Sequence, residues 1–219
     1  INAVSFKDPT IIKSTSGTIT VDGAITGTDN AAITLDGNTN LKNNITTNNQ
    51  NITFTKDVTL GANSSLNTGT SGNILFSGNV NGDKDLTLDV SSGNITFTNS
   101  VGDITSLGKI NANSIGTTTF NNVIATSLTT NTGGTTQLSG NVTTSENQTY
   151  NDTVNLFKNT TLTGNGIIFN NTITGIGLDL IANSGAGNLT FTNDINLGNI
   201  TANSTGTTTF NNVTTTSLT

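Results

Sequence analysis

The sequence predicts an all-β protein whose chain coils as a parallel β-solenoid of roughly ten rungs, each of about 19–24 residues. Three observations support this fold class. The chain is poor in apolar residues but rich in strand-forming ones. A short phrase containing Phe recurs at intervals of about 20 residues, which is the length of a solenoid rung. The eight residues GTTTFNNV stand unchanged at 116–123 and 206–213.

The composition requires a thin core. The 219 residues are 31% hydrophobic and 9% charged, with 24 Gly, one Pro and no Cys, Met, Trp or His. Globular domains are about 45–50% apolar, so a spherical core would be under-supplied. Disordered chains usually combine high net charge with few β-branched residues, whereas Thr, Ile, Val and Leu, which suit strands, are abundant here. Strands stacked around a narrow interior reconcile low hydrophobicity with high β propensity.

The short phrase has the pattern of a strand followed by a corner. In GNITFTNSV (93–101), Ile95 and Phe97 alternate with threonines, which is the period of a strand with one buried face. Asn99 and Ser100 then mark a corner, because Asn tolerates the backbone conformations that corners need. Helix is disfavoured throughout, since Thr, Asn and Gly are weak helix formers.

Stacking of successive rungs places like residues over like. Parallel strands stack at about 4.8 Å, so Phe should lie over Phe, and corner Asn amides should bond one another. Seven of the nine phenylalanines occupy the phrase and are predicted to form a buried structural core column: Phe54, Phe76, Phe97, Phe120, Phe169, Phe191 and Phe210.

A longer repeat is superimposed on the rungs. Residues 110–129 match 200–219, and weaker matches at slightly larger offsets extend upstream. The sequence therefore predicts a single solenoid segment over 1–219, with long repeat units at approximately 41–129 and 138–219, each of about four rungs. Because the pattern breaks off within a unit, we expect the segment to belong to a longer repetitive chain.

No constellation of catalytic, cofactor-binding or metal-binding residues stands out. The tightest carboxylate cluster, Asp83, Asp85 and Asp89 around Lys84, is interpreted as a solvated corner, and other carboxylates such as Asp152 are expected to be dispersed over corners and faces. Without His, Cys or Arg there is no nucleophilic triad and no zinc ligand set. Asp36 and Asn38 lack the later acidic ligand of a calcium loop. We therefore expect no enzymatic activity, no cofactor and no metal site.

Charge and hydropathy restrict the partners. With a net charge of −6 and no Arg, the chain has no basic stripe for nucleic acid, and no apolar run approaches the ~20 residues of a membrane span. Solenoid ends expose unpaired strand edges. The expected partners are neighbouring rungs of the same long chain or end-to-end stacked copies, with host or bacterial surface glycans contacted through regions outside this segment.

Threonine pairs keep a second function open. Flat solenoid faces that carry Thr-x-Thr on every rung can bind ice, and TTTF contains Thr117 and Thr119. Their sequence equivalents are Thr207 and Thr209, a whole long repeat away, so the sequence predicts no continuous threonine row. A carbohydrate- or ice-binding solenoid module remains the alternative to a purely structural role.

The phrases GNITF, LTLDV and GTTTFNNV resemble the repeat region of large secreted bacterial adhesins of the filamentous haemagglutinin type, which are exported by two-partner secretion. This resemblance implies a right-handed β-helical shaft at the cell surface and brings no catalytic residues. We accordingly expect a structural shaft of a secreted or cell-surface bacterial adhesin or extracellular filament, which extends and displays other domains.

Overall fold

The structure is a computed structural model that describes residues 1–219. It contains 31 strands and no helix. All strand pairs are parallel, and the sheet that receives one strand from every rung has 11 strands, so the solenoid has eleven rungs. The predicted fold class, an all-β parallel solenoid, is confirmed.

The first half of the chain forms short strands separated by corners. These are β1 (Val4–Phe6), β2 (Thr10–Lys13), β3 (Ile19–Val21), β4 (Ile25–Gly27), β5 (Ile33–Asp36), β6 (Thr39–Leu41), β7 (Ile45–Thr47), β8 (Ile52–Phe54), β9 (Val58–Leu60), β10 (Ser64–Asn67), β11 (Ile74–Phe76), β12 (Val80–Asn81), β13 (Leu86–Ser91), β14 (Ile95–Phe97), β15 (Leu107–Ser114) and β16 (Thr117–Phe120).

The second half continues in the same way. Its strands are β17 (Val123–Thr130), β18 (Thr135–Leu138), β19 (Val142–Thr144), β20 (Gln148–Tyr150), β21 (Thr153–Leu156), β22 (Thr160–Thr163), β23 (Ile167–Phe169), β24 (Ile173–Gly175), β25 (Leu180–Gly185), β26 (Leu189–Phe191), β27 (Ile195–Leu197), β28 (Asn199–Ser204), β29 (Thr208–Thr209), β30 (Val213–Thr214) and β31 (Ser217–Leu218).

Three faces run along the rod, and each rung visits them in the same order. The first face contains β1, β4, β7, β10, β13, β15, the second half of β17, β20, β23, β26 and β29. The second face contains β2, β5, β8, β11, β14, β16, β18, β21, β24, β27 and β30. The third face contains β3, β6, β9, β12, a bridge at Val101, the first half of β17, β19, β22, β25, β28 and β31.

The rungs vary in length because the corners vary. Leu86 pairs with Ile110 on the next rung, and Ile110 pairs in turn with Leu128, so the second of these rungs is clearly shorter than the first. The strands mostly keep register, as shown by Ile74 beside both Ile52 and Ile95, and the pairing shifts within a strand only at Asp89/Ser91 and Asn183/Gly185. Insertions therefore accumulate at the corners, and the core columns stay aligned.

The core is one continuous cluster of 44 buried residues. Within a strand such as β14, Ile95 and Phe97 point inward while Thr96 between them is half-buried on the outside. Corner hydroxyls extend this dry interior: the Oγ1 of Thr39 donates to the carbonyl of Gly37 at 3.1 Å, and the Oγ of Ser64 donates to that of Ala62 at 3.0 Å. A buried hydroxyl that bonds to its own corner carries little desolvation penalty, which explains how so polar a sequence fills a core.

Asparagine ladders join the rungs at the corners. The side-chain oxygen of Asn51 accepts the backbone N–H of Asn73 at 2.9 Å, that of Asn73 accepts Asn94 at 2.7 Å, and that of Asn94 accepts Thr117 at 2.8 Å. The expected amide-to-amide bonds also occur, for example from Asn170 to Asn151 at 2.7 Å. Side chain to backbone bonds are the more frequent form, because a corner leaves its N–H without a strand partner.

Candidate functional site

The seven phenylalanines predicted as one column lie in two stacks. In the first stack, on the second face over rungs three to six, Phe54, Phe76, Phe97 and Phe120 have successive ring-centroid distances of 4.9, 4.8 and 5.3 Å. In the second stack, on the first face over rungs eight to eleven, Tyr150, Phe169, Phe191 and Phe210 have distances of 5.1, 4.8 and 5.2 Å. Phe210 is half-buried, and the other six phenylalanines are buried.

The two stacks lie on different faces, and each of their rungs carries one large ring. In rung six Phe120 on the second face shares the core with Ala112 on the first face. In rung nine the ring is Phe169 on the first face, and the second face carries Gly175, where an added Cβ would lie 2.8 Å from the Cβ of Leu156. Large and small residues therefore alternate across the core, as close packing demands.

The exchange occurs through rungs seven and eight, where buried polar side chains replace part of the apolar core. The Nε2 of Gln148 donates to the carbonyls of Thr163 at 2.8 Å and Val142 at 3.2 Å, and its Oε1 accepts the hydroxyl of Tyr150 at 3.0 Å. Burial raises the pKa of Tyr150 far above its usual range, so this hydroxyl stays protonated. Only the spacing of Tyr150 from Phe169 could have indicated from sequence that the tyrosine continues a phenylalanine stack.

Asp152 is the one fully buried carboxylate, whereas the sequence predicted carboxylates dispersed over corners and faces. Its Oδ1 accepts the N–H of Gly134 at 2.8 Å and its Oδ2 accepts the hydroxyl of Thr136 at 3.2 Å. Burial raises the pKa of this carboxyl, while the bonds from Gly134 and Thr136 act in the opposite direction. Asp152 does stand at a corner, but its side chain turns inward, where it accepts the backbone N–H of Gly134 and is fully buried.

The remaining acidic candidates are not assembled into a site. Lys84 forms an exposed ion pair with Asp83 at 2.9 Å, which lowers the pKa of Asp83. Asp85 accepts the backbone N–H of Lys109 at 2.7 Å, and Asp89 accepts the Asn67 amide at 3.3 Å. No group of three or more His, Cys, Asp and Glu side chains that could hold a metal ion is present.

The Thr-x-Thr pair does not recur on adjacent rungs, as the sequence predicted, but a single threonine row exists on the second face. Thr117 lies beside Thr135 on the next rung, and Thr135 lies beside Thr153. Because Val154 pairs with Ile173, Thr172 follows in the same row. The identical Thr207–Thr209 segment lies on another face, so the sequence equivalence was misleading and rung pairing decides the neighbours.

The outward row beside it is mixed. Its members over the same four rungs are Thr119, Gln137, Asn155 and Thr174. The hydroxyl of Thr119 donates to the Oε1 of Gln137 at 3.2 Å. This part of the face is flat, uncharged and hydrogen-bonding, and it lacks aromatic side chains.

Comparison with known proteins found no match among protein-family models, curated proteins or solved structures. No helix of the chain could cross a membrane, since the chain has none. The structure of the solenoid and its sequence are therefore the basis for a proposed function.

Proposed function

We propose that this solenoid is the structural shaft of a secreted or cell-surface bacterial adhesin or extracellular filament, and that it extends and displays other domains. The observation that carries the proposal is the unbroken core, in which 44 buried residues form one cluster through the length of the rod. Each rung pairs only with its neighbours. Such a coil can grow in length without a redesigned core.

The dimensions and surface suit a spacer. Eleven rungs at about 4.8 Å each give a rod roughly 53 Å long. Only three ion pairs occur, and all involve partly exposed side chains. Most outward positions carry Thr, Asn or Ser, which keep the shaft soluble without a strong field. The bacterial surface location is part of the proposal, and its support is the likeness of the repeat phrases to filamentous haemagglutinin-type shafts.

In the proposed shaft, the end rungs are covered by neighbouring rungs of the same long chain or by end-to-end stacked copies. Leu218 in the last rung is 47% exposed, whereas its column partner Ile200 one rung earlier is 1% exposed. Phe210 and Val213 are likewise only partly buried. One more rung would remove these side chains from water, at about 25 cal/mol per Å² of apolar surface.

The experiment places the chain between a surface anchor and an epitope at its far end. We expect the epitope to stand off from the surface by a fixed height that falls by about 4.8 Å for each rung deleted. The matched control is Phe97→Ala, which weakens the core without shortening the chain. A height that does not follow rung number contradicts a shaft.

A second candidate is a carbohydrate- or ice-binding module, and the row formed by Thr117, Thr135, Thr153 and Thr172 favours it. A flat array of hydroxyls at regular spacing can order water or meet sugar hydroxyls. The test is thermal hysteresis and glycan-array binding by the purified chain, with Thr135→Lys as the variant that breaks the row. Specific binding lost in this variant would support the module, and no binding by the parent chain would exclude it.

A further inference from the structure

Three copies of one phrase lie at the three different edges of the rod, apart from a looser copy, LIANSGAGNLTF at 180–191, one rung before the last of them. The copies are TIIKSTSGTITV at 10–21, INANSIGTTTF at 110–120 and ITANSTGTTTF at 200–210. The first runs from the second face to the third (β2 to β3), the second from the first face to the second (β15 to β16), and the third from the third face to the first (β28 to β29).

Each of the three copies has a corner in which a serine hydroxyl accepts a glycine N–H, two residues on in the second and third copies and three residues on in the first. The N–H of Gly17 donates to the Oγ of Ser14 at 3.1 Å, that of Gly116 donates to Ser114 at 3.0 Å, and that of Gly206 donates to Ser204 at 2.9 Å. These bonds identify the second and third copies as structural equivalents, and the first as a variant whose corner is one residue longer.

The spacing of the copies is a whole number of strands but not of rungs. From β2 in rung one to β15 in rung six the chain covers four complete rungs and two further faces, or fourteen strand positions. From β15 to β28 in rung ten it covers fourteen positions again. Other matched segments keep this interval, such as β7 with β19 and β14 with β26. The predicted four rungs per long unit were therefore too few by two faces.

We propose that the unit of growth is fourteen strands, so that each added or removed unit turns everything beyond it by one face, a third of a revolution. Three units restore the original orientation. Shaft length and the direction in which a distal domain points are then coupled. Every edge of the rod also presents the same corner in turn. This inference concerns the coil and holds whether or not the coil serves as a shaft.

The core allows the rotation because its three faces are interchangeable. Inward positions on every face carry Ile, Leu, Val or Phe, and the second and third copies share their inward residues, Ser114 with Ser204 and Phe120 with Phe210 among them. The two copies are followed by residues 121–129 and 211–219, which also match. Among the buried positions of this stretch only Ala125 differs, and its counterpart is Thr215. Each corner bond joins a backbone N–H to a serine hydroxyl of the same phrase, so it does not depend on the face that the phrase occupies.

Deletion of residues 110–199 tests the proposal. The deletion joins Lys109 to Ile200, which would take the place of Ile110 beside Leu86. Thr209 would then take the place of Thr119 beside Thr96. In the parent chain Thr96 and Thr209 lie six rungs apart, or roughly 29 Å at about 4.8 Å per rung.

Cysteine pairs report the face that Thr209 occupies, and the parent has no cysteine to interfere. We expect Thr96→Cys with Thr209→Cys to form a disulfide in the deletion variant and not in the parent, since a disulfide needs Cα atoms about 5.5 Å apart. The matched pair is Thr87→Cys with Thr209→Cys, which would cross-link if Thr209 kept the first face. A cross-link in this second pair, or in neither pair of a folded variant, overturns the proposal.

A second deletion separates growth by strands from growth by rungs. Removal of residues 110–207 takes out five whole rungs and leaves Thr208 on the first face. Folding is judged by far-ultraviolet circular dichroism and a cooperative unfolding transition. If the 110–207 deletion folds and the 110–199 deletion does not, whole rungs are the unit of growth and the proposal is wrong. Failure of the 110–199 deletion alone also contradicts it, because its new junction copies an existing one.

Discussion

Rungs three to six and rungs eight to ten both bury one aromatic ring per rung, but they do so on different faces. The earlier region places its rings on the second face, where Phe97 stacks between Phe76 and Phe120. The later region places them on the first face, where Phe169 stacks between Tyr150 and Phe191. Each region carries small or medium side chains on the face opposite its rings. The comparison teaches that one ring per rung is kept in both regions, whereas the face that supplies the ring changes.

Removing a stacked ring should have the largest effect. Phe97→Ala leaves a cavity between two rings, and we expect a loss of about 3–5 kcal/mol in the free energy of unfolding. Phe169→Ala in the later region should cost a similar amount. Urea denaturation measures both, with Phe157→Ala as control because its side chain is 56% exposed. A much smaller cost at Phe169 than at Phe97 would show that the two stacks are not equivalent.

Moving a ring across the core tests directly whether a rung holds only one ring. Ala112→Phe adds a second ring to rung six, where Phe120 already lies, and should cost about 1–3 kcal/mol through overpacking. Combined with Phe120→Ala, it recreates the arrangement of the later region, and the double variant should lose less stability than the sum of the two single losses. A double-mutant cycle measures this coupling. Strict additivity would mean that the two positions do not share space.

The small side of the later region is equally constrained. At Gly175 an added Cβ would lie 2.8 Å from the Cβ of Leu156 and 3.2 Å from the Cδ2 of Leu197. We expect Gly175→Ala to cost about 1–3 kcal/mol. Gly17→Ala is the control, because its Cβ would approach only the Ser14 hydroxyl, at 3.4 Å. Equal stability of the two variants would contradict the tight fit.

The asparagine ladders at the corners should contribute less to the free energy of unfolding than the stacked rings do. Asn94→Ala removes the acceptor of the Thr117 N–H and should cost about 1 kcal/mol. Asn188→Ala removes the equivalent acceptor of Thr207, with a smaller effect because that corner is more exposed. Hydrogen exchange of the Thr117 and Thr207 amides reports the two losses. Unchanged protection at Thr117 would show that water replaces the side chain without cost.

The smallest effect concerns pH and the buried Asp152, which lies in rung eight. Its pKa is raised in the folded state, so the unfolded chain loses this proton first as pH rises past about 3.9, and the contribution to stability falls until the folded carboxyl has ionised. Asp152→Asn removes this fall, so its stability relative to the parent should increase as the pH rises above about 3.9. Asp83→Asn should behave in the opposite sense, because Lys84 lowers the pKa of Asp83. Parallel pH profiles for both variants would refute the assignment.

The fold was predictable because its signals are local. Alternation around Phe97 and recurrence of the phrase once per rung require only the neighbours in sequence and the stacking of like on like. The inward positions of strands such as β8 and β11 follow from the same pattern. Alternation and recurrence are local properties, so every copy of the phrase shows them on whichever face it lies.

The face on which each segment lies could not be predicted from the sequence, because it depends on the summed lengths of all the corners before that segment. Rungs of unequal length shift the phase of the coil, so identical phrases at 116–123 and 206–213 arrive on different faces. The faces that the segments reach determine three features: the division of the Phe column, the row that begins at Thr117 and the inward turn of Asp152. To predict each of these features, one must know which residue lies beside it on the next rung. That residue is about one rung away in sequence, at an offset that varies.

The direction of the backbone hydrogen bonds has a mechanical consequence. Bonds between rungs run along the rod, so tension applied to its two ends pulls each bond along its own axis and opens the rungs one at a time, as a zipper opens. A freed rung of about 20 residues extends to roughly 70 Å of chain, where it occupied about 5 Å when coiled. Under steady drag, the molecule would lengthen by roughly an order of magnitude in regular steps, and each step would dissipate work through the rupture of one rung's hydrogen bonds.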